Sequence, residues 1–218
     1  MNKKYLLLLV GILILLSGCS VNNLTRGEAY PKMYEEKPLS ILFLPPVNLS
    51  TAPEAKEYFM STLAETASET GYYFLPMEVT TAFLQSEGLY DTEIISDSVL
   101  PQFKEYFGAD AVLISKILEW DKSYYVVGGD VTVSLDFMIR STATGDTLWR
   151  CNRRIVYDTS GSSDNLLANL IETAIKTATT DYIPIAKVIN QQVFTTTPKG
   201  KYHPRYTLDK DDIIGRKP

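Results

Sequence analysis

A lone histidine, a cysteine inside an alternating segment, a cluster of arginines and a few acid pairs are the residues of this 218-residue chain whose types could carry chemistry. A serine or cysteine nucleophile needs a base within hydrogen-bond reach. The only histidine, His203, stands beside Pro204 in a polar segment with no evident fold. It reads as a turn residue rather than a catalyst. In "TLWRCNRRIVYD" (147–158), alternation sets Trp149, Cys151, Ile155 and Tyr157 on one face and Arg150, Asn152 and Arg154 on the other. Cys151 shares the apolar face, where a free cysteine behaves as a small hydrophobe; a nucleophile or an intermolecular bridge is the alternative. Arg150, Arg153 and Arg154 concentrate positive charge, and a guanidinium grips carboxylate or phosphate through two parallel hydrogen bonds. They either meet an acidic partner or glycan peptide stem, or form a solvated strand face paired with local Asp and Glu. Arg153 has the parity of the apolar residues, which implies a buried pairing or a strand end. Tyr124 and Tyr125 precede a hairpin tip, where they would serve as partner anchors or as edge packing. Glu119 and Asp121 offer an acid pair whose separation the sequence does not fix. "DKDD" (209–212) has oxygen ligands without the spacing and glycine of a calcium loop, and reads as a solvated charge run. No Gly-rich phosphate loop, C-x-x-C or H-E-x-x-H occurs. The expectation is therefore no catalytic residue, cofactor or metal.

Chemistry of another kind is implied at the N-terminus. Lys3 and Lys4 precede an apolar run from Tyr5 to Leu16, followed by Ser17 and Gly18. A spanning helix needs roughly twenty apolar residues to cross about 30 Å of hydrocarbon, so this shorter run reads as a signal peptide. Leu16-Ser17-Gly18-Cys19 resembles the lipobox of bacterial lipoproteins. The resemblance implies cleavage between Gly18 and Cys19, a diacylglycerol on the Cys19 sulfur, and a palmitate-type acyl chain on the new amino group. Several chains anchor far more firmly than one, because each buried methylene contributes about 0.8 kcal/mol. Ser20 stands where an Asp would resemble an inner-membrane retention signal, which favours the outer membrane, with the domain in the periplasm.

Loss of residues 1–18 removes two of the 21 basic residues and none of the 26 acidic ones, moving the formal charge from -5 to -7. Nucleic acid is excluded as a partner, since neutralising phosphates needs a concentrated basic surface. With Cys19 as a thioether, Cys151 has no intramolecular disulfide partner.

The elements that must position these residues follow from periodicity. Residues 19–37 are polar and aperiodic, and read as the lipidated cysteine and a tether. Ile41 to Leu44 fit a central strand stopped by Pro45 and Pro46. Thr51 and Glu54 suggest a capping box for a helix whose buried stripe is Ala55, Phe59, Leu63 and Ala67. "GYYFLP" reads as a strand, residues 79–85 and 98–107 as helices, and 109–120 as a strand that starts apolar and then alternates. Val131, Val133, Leu135, Phe137 and Ile139 alternate against Thr132, Ser134, Asp136 and Arg140, as a strand with one buried face does. Gly128-Gly129-Asp130 and "TATGDT" are the expected turns. Ser163 is expected to cap a helix with a stripe from Leu167 to Ala178, and Pro184 to end or kink it. The result is a mixed α/β sheet with helices packed on it, order β-α-β-α-α-β-β-β-α, in one domain spanning 38–190. The 191–218 tail either wanders or packs on that domain.

Five blocks, "KPLSILFLPPVN", "GYYFLP", "FGADAVLISKILEWDKSY", "TGDTLW" and "KGKYHPRY", resemble successive blocks of the bacterial lipoprotein family called domain of unknown function 799. The resemblance covers nearly the whole mature chain. It implies a fold similar to the N-terminal domain of TolB, to curli-secretion channel lipoproteins and to lipoprotein activators of peptidoglycan synthases. Unlike the curli channels, this chain has no extra segments of about ten alternating residues for a barrel. The implied role is a non-enzymatic accessory lipoprotein, bound to membrane lipid through Cys19. Its partner is expected to be an envelope protein, such as a curli-channel-like lipoprotein or a peptidoglycan synthase. Tyr124, Tyr125, Arg150 and Arg154 are the candidate contacts. A cell-wall hydrolase or small-ligand-binding lipoprotein is the alternative.

Overall fold

The computed structural model describes residues 24–86, 88, 97–125, 128–158 and 183–215. The Gly18/Cys19 cleavage and lipidation site, and the helix expected from Ser163 to Ala178, lie outside the described residues. In chain order the elements are β1 (Leu24–Thr25), α1 (Arg26–Ala29), α2 (Pro31–Glu36), β2 (Ser40–Phe43), β3 (Val47–Asn48), α3 (Ala55–Ser68), β4 (Tyr73–Leu75) and α4 (Met77–Ser86). A 3-10 turn (Asp97–Val99) leads into α5 (Leu100–Phe107), followed by β5 (Ala111–Tyr125), β6 (Gly128–Ser141), β7 (Thr147–Asp158), α6 (Ile183–Thr195) and β8 (Ile213–Gly215).

The expected mixed sheet is present, in the order β4-β2-β5-β6-β7, with β3 also paired to β5. β2 runs parallel to β4 and β5, and β5, β6 and β7 form an antiparallel meander. A bulge between Ile117 and Glu119 shifts the side-chain parity of β5. Before it the odd residues Leu113 and Ile117 face the main core; after it Trp120 does. Two apolar clusters sandwich the sheet. The larger joins Ile41 and Phe43, the inward residues of β6 and β7, and residues of α2, α3 and α6. The smaller gathers Leu42, Leu44 and Val112 under Leu84, Leu100 and Phe103 from α4 and α5. Its described members include no residue of β6 or β7, whose second face carries mostly polar side chains, among them Asp136, Arg150 and Arg154.

Asp110 joins the two sides of the parallel pairing. Its Oδ2 accepts the backbone N–H groups of Leu39 (2.9 Å) and Ser40 (3.1 Å), and Lys104 donates to its Oδ1. Burial by itself would push this carboxyl up, but the hydrogen bonds from Lys104, Leu39 and Ser40 outweigh it and hold it below the usual carboxylate range. A depressed carboxyl stabilises the fold above its unfolded pKa, and that contribution fades as pH falls through the lower folded value. Asp110→Asn is expected to cost about 1–2 kcal/mol at pH 7 and to flatten the loss of stability below about pH 4, read from urea melts across pH.

Four local expectations are corrected. Residues 24–37 are not tether: they form β1, α1 and α2, with Tyr30 and Met33 buried in the main core. The capping box is at Thr25 and Glu28. It is not at Thr51 and Glu54, because the Asn48 side chain donates to Ala52 O (2.8 Å) and accepts from Ser50, closing a turn of its own before α3 begins at Ala55. Gly128, Gly129 and Asp130 are not a turn; they pair with Tyr125, Tyr124 and Ser123. The residues from Gln191 to Thr195 are helical rather than tail, because Ala186, Ile189 and Val193 continue a buried stripe along α6.

The C-terminal segment is built into the domain. Gly200 N–H donates to Thr70 O (2.8 Å), and Tyr202 N–H donates to Gly71 O (2.9 Å). The approach is so close that a Cβ on Gly200 would stand 2.4 Å from Gly71 O. Gly71 itself has φ +82°, a conformation that favours glycine. Beyond this contact, Arg26 Nη1 donates to Asp209 (3.0 Å) and Asp212 (3.2 Å), and its Nη2 donates to Thr195 O (2.9 Å). Asp209 is fully buried and also accepts the Lys199 N–H at 2.8 Å. Asp209 and Asp212 are therefore structural partners of Arg26, where the sequence suggested only a solvated charge run.

Candidate docking surfaces

A cavity of about 550 Å³ opens between α3 and β4, at the edge of the sheet. The helix creates it. Phe59, Leu63 and Ala67 pack inward on the sheet, while Ser61, Ala64 and Ser68 recur along the neighbouring stripe and leave room beside them. The floor is aromatic: Phe43 and Phe74 stack at 4.7 Å between ring centroids, and Tyr72 meets Phe74 edge-on at 6.2 Å. Met60 and Met77 flank it, and Glu78 stands at the mouth. The Tyr72 hydroxyl donates to Pro198 O (2.8 Å), so the C-terminal segment braces one wall. Sequence reading missed this site because its walls come from three separate segments. The small residues at helical spacing were the available signal.

The two arginines singled out as contacts lie on the second face of the meander, each engaged within its own sheet. Arg150 grips Asp136 with two hydrogen bonds, Nε to Oδ1 at 3.1 Å and Nη2 to Oδ2 at 2.8 Å. Those bonds and the charge of Asp136 raise the pKa of the guanidinium further. Arg154 Nε donates to Glu119 Oε2 at 2.8 Å, both residues being opposite Ser134 across neighbouring strands. Glu119, the candidate acid, is thus held by a salt bridge. Both guanidinium groups face solvent, Arg150 at 62% and Arg154 at 54% accessible, while Asp136 is only 13% accessible. Pairs with a solvent-facing partner contribute little, and the two-bond grip on the half-buried Asp136 sets the upper end of that range, so Arg150→Gln is expected to lower unfolding free energy by about 1 kcal/mol in a denaturant titration. Tyr124 and Tyr125 belong to the backbone of β5, but their side chains lie outside the described part.

Cys151 is fully buried, and burial, its main influence, pushes the thiol up and suppresses the thiolate. It is a packing residue. His203 accepts the Arg205 N–H at Nδ1 (3.0 Å), and burial and the nearby Lys199 charge lower its pKa. It is a turn residue seated against Gly71. Among the described residues no group of three or more His, Cys, Asp or Glu could hold a metal ion, and no helix is long and apolar enough to cross a membrane.

The family described as "Putative lipoprotein GNA1162-like" matches residues 29–200. The lipoprotein NMB1124/NMB1162 of Neisseria meningitidis serogroup B is 28% identical over 172 residues, covering 79% of this chain and 80% of its own length. The crystal structure of lipoprotein GNA1162 from Neisseria meningitidis superposes with a TM-score of 0.52 at 26% identity, over 66% of this chain and 100% of the other. The PelC dodecamer from Paraburkholderia phytofirmans gives a TM-score of 0.44 at 16% identity, over 81% and 91%.

Proposed function

Because this chain belongs to the GNA1162-like lipoprotein family, we propose that it is a lipid-anchored accessory protein of the bacterial outer membrane, facing the periplasm, that docks another envelope protein without catalysing a reaction. The observation that carries this reading is the clasp on Arg26. That residue lies seven positions after Cys19, and its guanidinium is locked to Asp209 and Asp212 inside the domain. From Cys19 to Leu24 is five residues, which span at most about 17 Å when extended. An acylated Cys19 therefore holds the domain close to the bilayer rather than on a long leash. Such a placement suits a module presented to a neighbouring envelope component in a secretion, surface-assembly or cell-wall complex.

Metabolic labelling with an alkyne fatty acid, followed by membrane flotation, tests the anchor. The native chain takes up label and floats; Cys19→Ala does neither. A soluble form lacking residues 1–19 is expected to retain its partner in a pull-down and to fail in complementing a deletion. Persistent label on Cys19→Ala, or full complementation by the soluble form, contradicts the proposal. The apolar cavity favours a second reading, a small-ligand-binding lipoprotein, and the probes described next separate the two.

A further inference from the structure

The cavity beside α3 has an aromatic floor, and the one charged side chain in its described lining is acidic. Glu78 lines its mouth, and Glu57 lies one helical turn before Ser61 on the same side of α3. Both acids are exposed, and neither is in an ion pair among the described residues. The described lining includes no basic side chain. An acidic rim repels a fatty-acid carboxylate and attracts an ammonium or guanidinium. The neighbouring strand adds a directional feature. Tyr73 N–H donates to Leu39 O at 3.0 Å, so Tyr73 turns its backbone toward β2. By alternation Phe74 directs its own N–H and C=O outward, at the edge of the sheet and beside the cavity. An edge of this kind pairs with extended chain, and the adjoining pocket takes a side chain from it.

We propose that this cavity receives a short extended segment of a protein partner in which a bulky apolar side chain stands next to a lysine or arginine. The inference rests on the docking function and specifies the chemistry of what is docked. The apolar side chain fills the space over Phe43 and Phe74, and the adjacent cation meets Glu57 and Glu78. Aromatic anchors in such pockets dominate many interfaces, while rim charges set the choice of partner.

Four methionines serve as reporters. Met60 and Met77 flank the cavity, whereas Met33 is the buried residue of α2 and Met138 lies on β6. The full chain, labelled with methionine methyl carbon-13 and held in nanodiscs of phosphatidylethanolamine and phosphatidylglycerol, is titrated with acetyl-Lys-Trp-Leu-Lys-amide. The expected result is saturable shifts of Met60 and Met77 with Met33 and Met138 unmoved. The Glu-Trp-Leu-Glu analogue is expected to bind about fivefold more weakly, as is the Lys peptide to the Glu57→Gln, Glu78→Gln variant. Ser61→Trp, on the exposed side of α3, is expected to fill the space and abolish the shifts. Equal binding of both peptides overturns the proposal, as do shifts driven by palmitate alone or by protein concentration without peptide. A partner crosslinked elsewhere on the domain, with Met60 and Met77 silent to peptide, overturns the pocket assignment and leaves the docking function standing.

Discussion

Truncating Trp149 to alanine is expected to lower the unfolding free energy by about 3–5 kcal/mol, the range for removing a large aromatic side chain from a packed core. Trp149 is 1% exposed and lies where three parts of the chain converge. Its ring approaches Tyr30 from the N-terminal helices at 6.4 Å, Phe137 of β6 at 6.4 Å and Phe194 of α6 at 6.1 Å. Loss of the ring opens a cavity that cannot collapse without moving both the sheet and α6. Trp149→Phe is expected to cost under about 1.5 kcal/mol, because it retains most of the volume and removes a buried indole N–H without a hydrogen-bond partner among the described residues. Guanidinium denaturation followed by circular dichroism measures both. A change below about 1 kcal/mol for Trp149→Ala would mean that the convergence of α2, β7 and α6 does not stabilise the domain.

Asp209→Ala has the second large effect. Removing one member of a buried ion pair costs about 3–5 kcal/mol, because the other charge is left buried without its partner. Here Arg26 retains Asp212 and Thr195 O, which places the expectation near the lower end, about 3 kcal/mol. For a chain of this size that is a fall in Tm on the order of 10 °C. Asp209 also accepts the Lys199 N–H, so the segment around Gly200 should loosen with it. Amide exchange at Tyr202, which donates to Gly71 O, reports that loosening directly. The Arg26→Met, Asp209→Leu double substitution is expected to recover much of the loss, since an apolar pair carries no stranded charge. A double mutant no better than Asp209→Ala would show that the geometry of the clasp, rather than charge burial, sets the cost.

Where the fold comes from neighbours in sequence, the sequence reading reaches it. Val131, Val133, Leu135, Phe137 and Ile139 recur at every second position, and all five are buried in the main core. Ala55, Phe59, Leu63 and Ala67 repeat at helical spacing and form the buried stripe of α3. The N-terminal clasp was illegible for the opposite reason: Arg26 and its partner Asp209 are 183 positions apart. Without that partner, residues 24–37 look like polar linker. Even so, Thr25 with Glu28 and Pro31 at the start of α2 were local helix signals in plain view. A similar pairing of polar residues at Thr51 and Glu54 misled, because Asn48 already satisfies that turn. The arginines were legible as an exposed row, but their engagement by Asp136 and Glu119 depends on strand register. The cavity was least legible of all, since Phe43, Ala64 and Phe74 come together only once the sheet edge and α3 are placed.

The central claim, that a lipid-anchored domain docks an envelope protein, is tested most directly by photo-crosslinking in living cells. A photoreactive residue at Ser61, on the rim of the cavity, and another at Arg150, on the open sheet face, are compared by mass spectrometry of their adducts. The account predicts one recurring envelope protein from the Ser61 probe in the lipidated chain. Adducts to lipid or glycan alone, or none from either position, would contradict it.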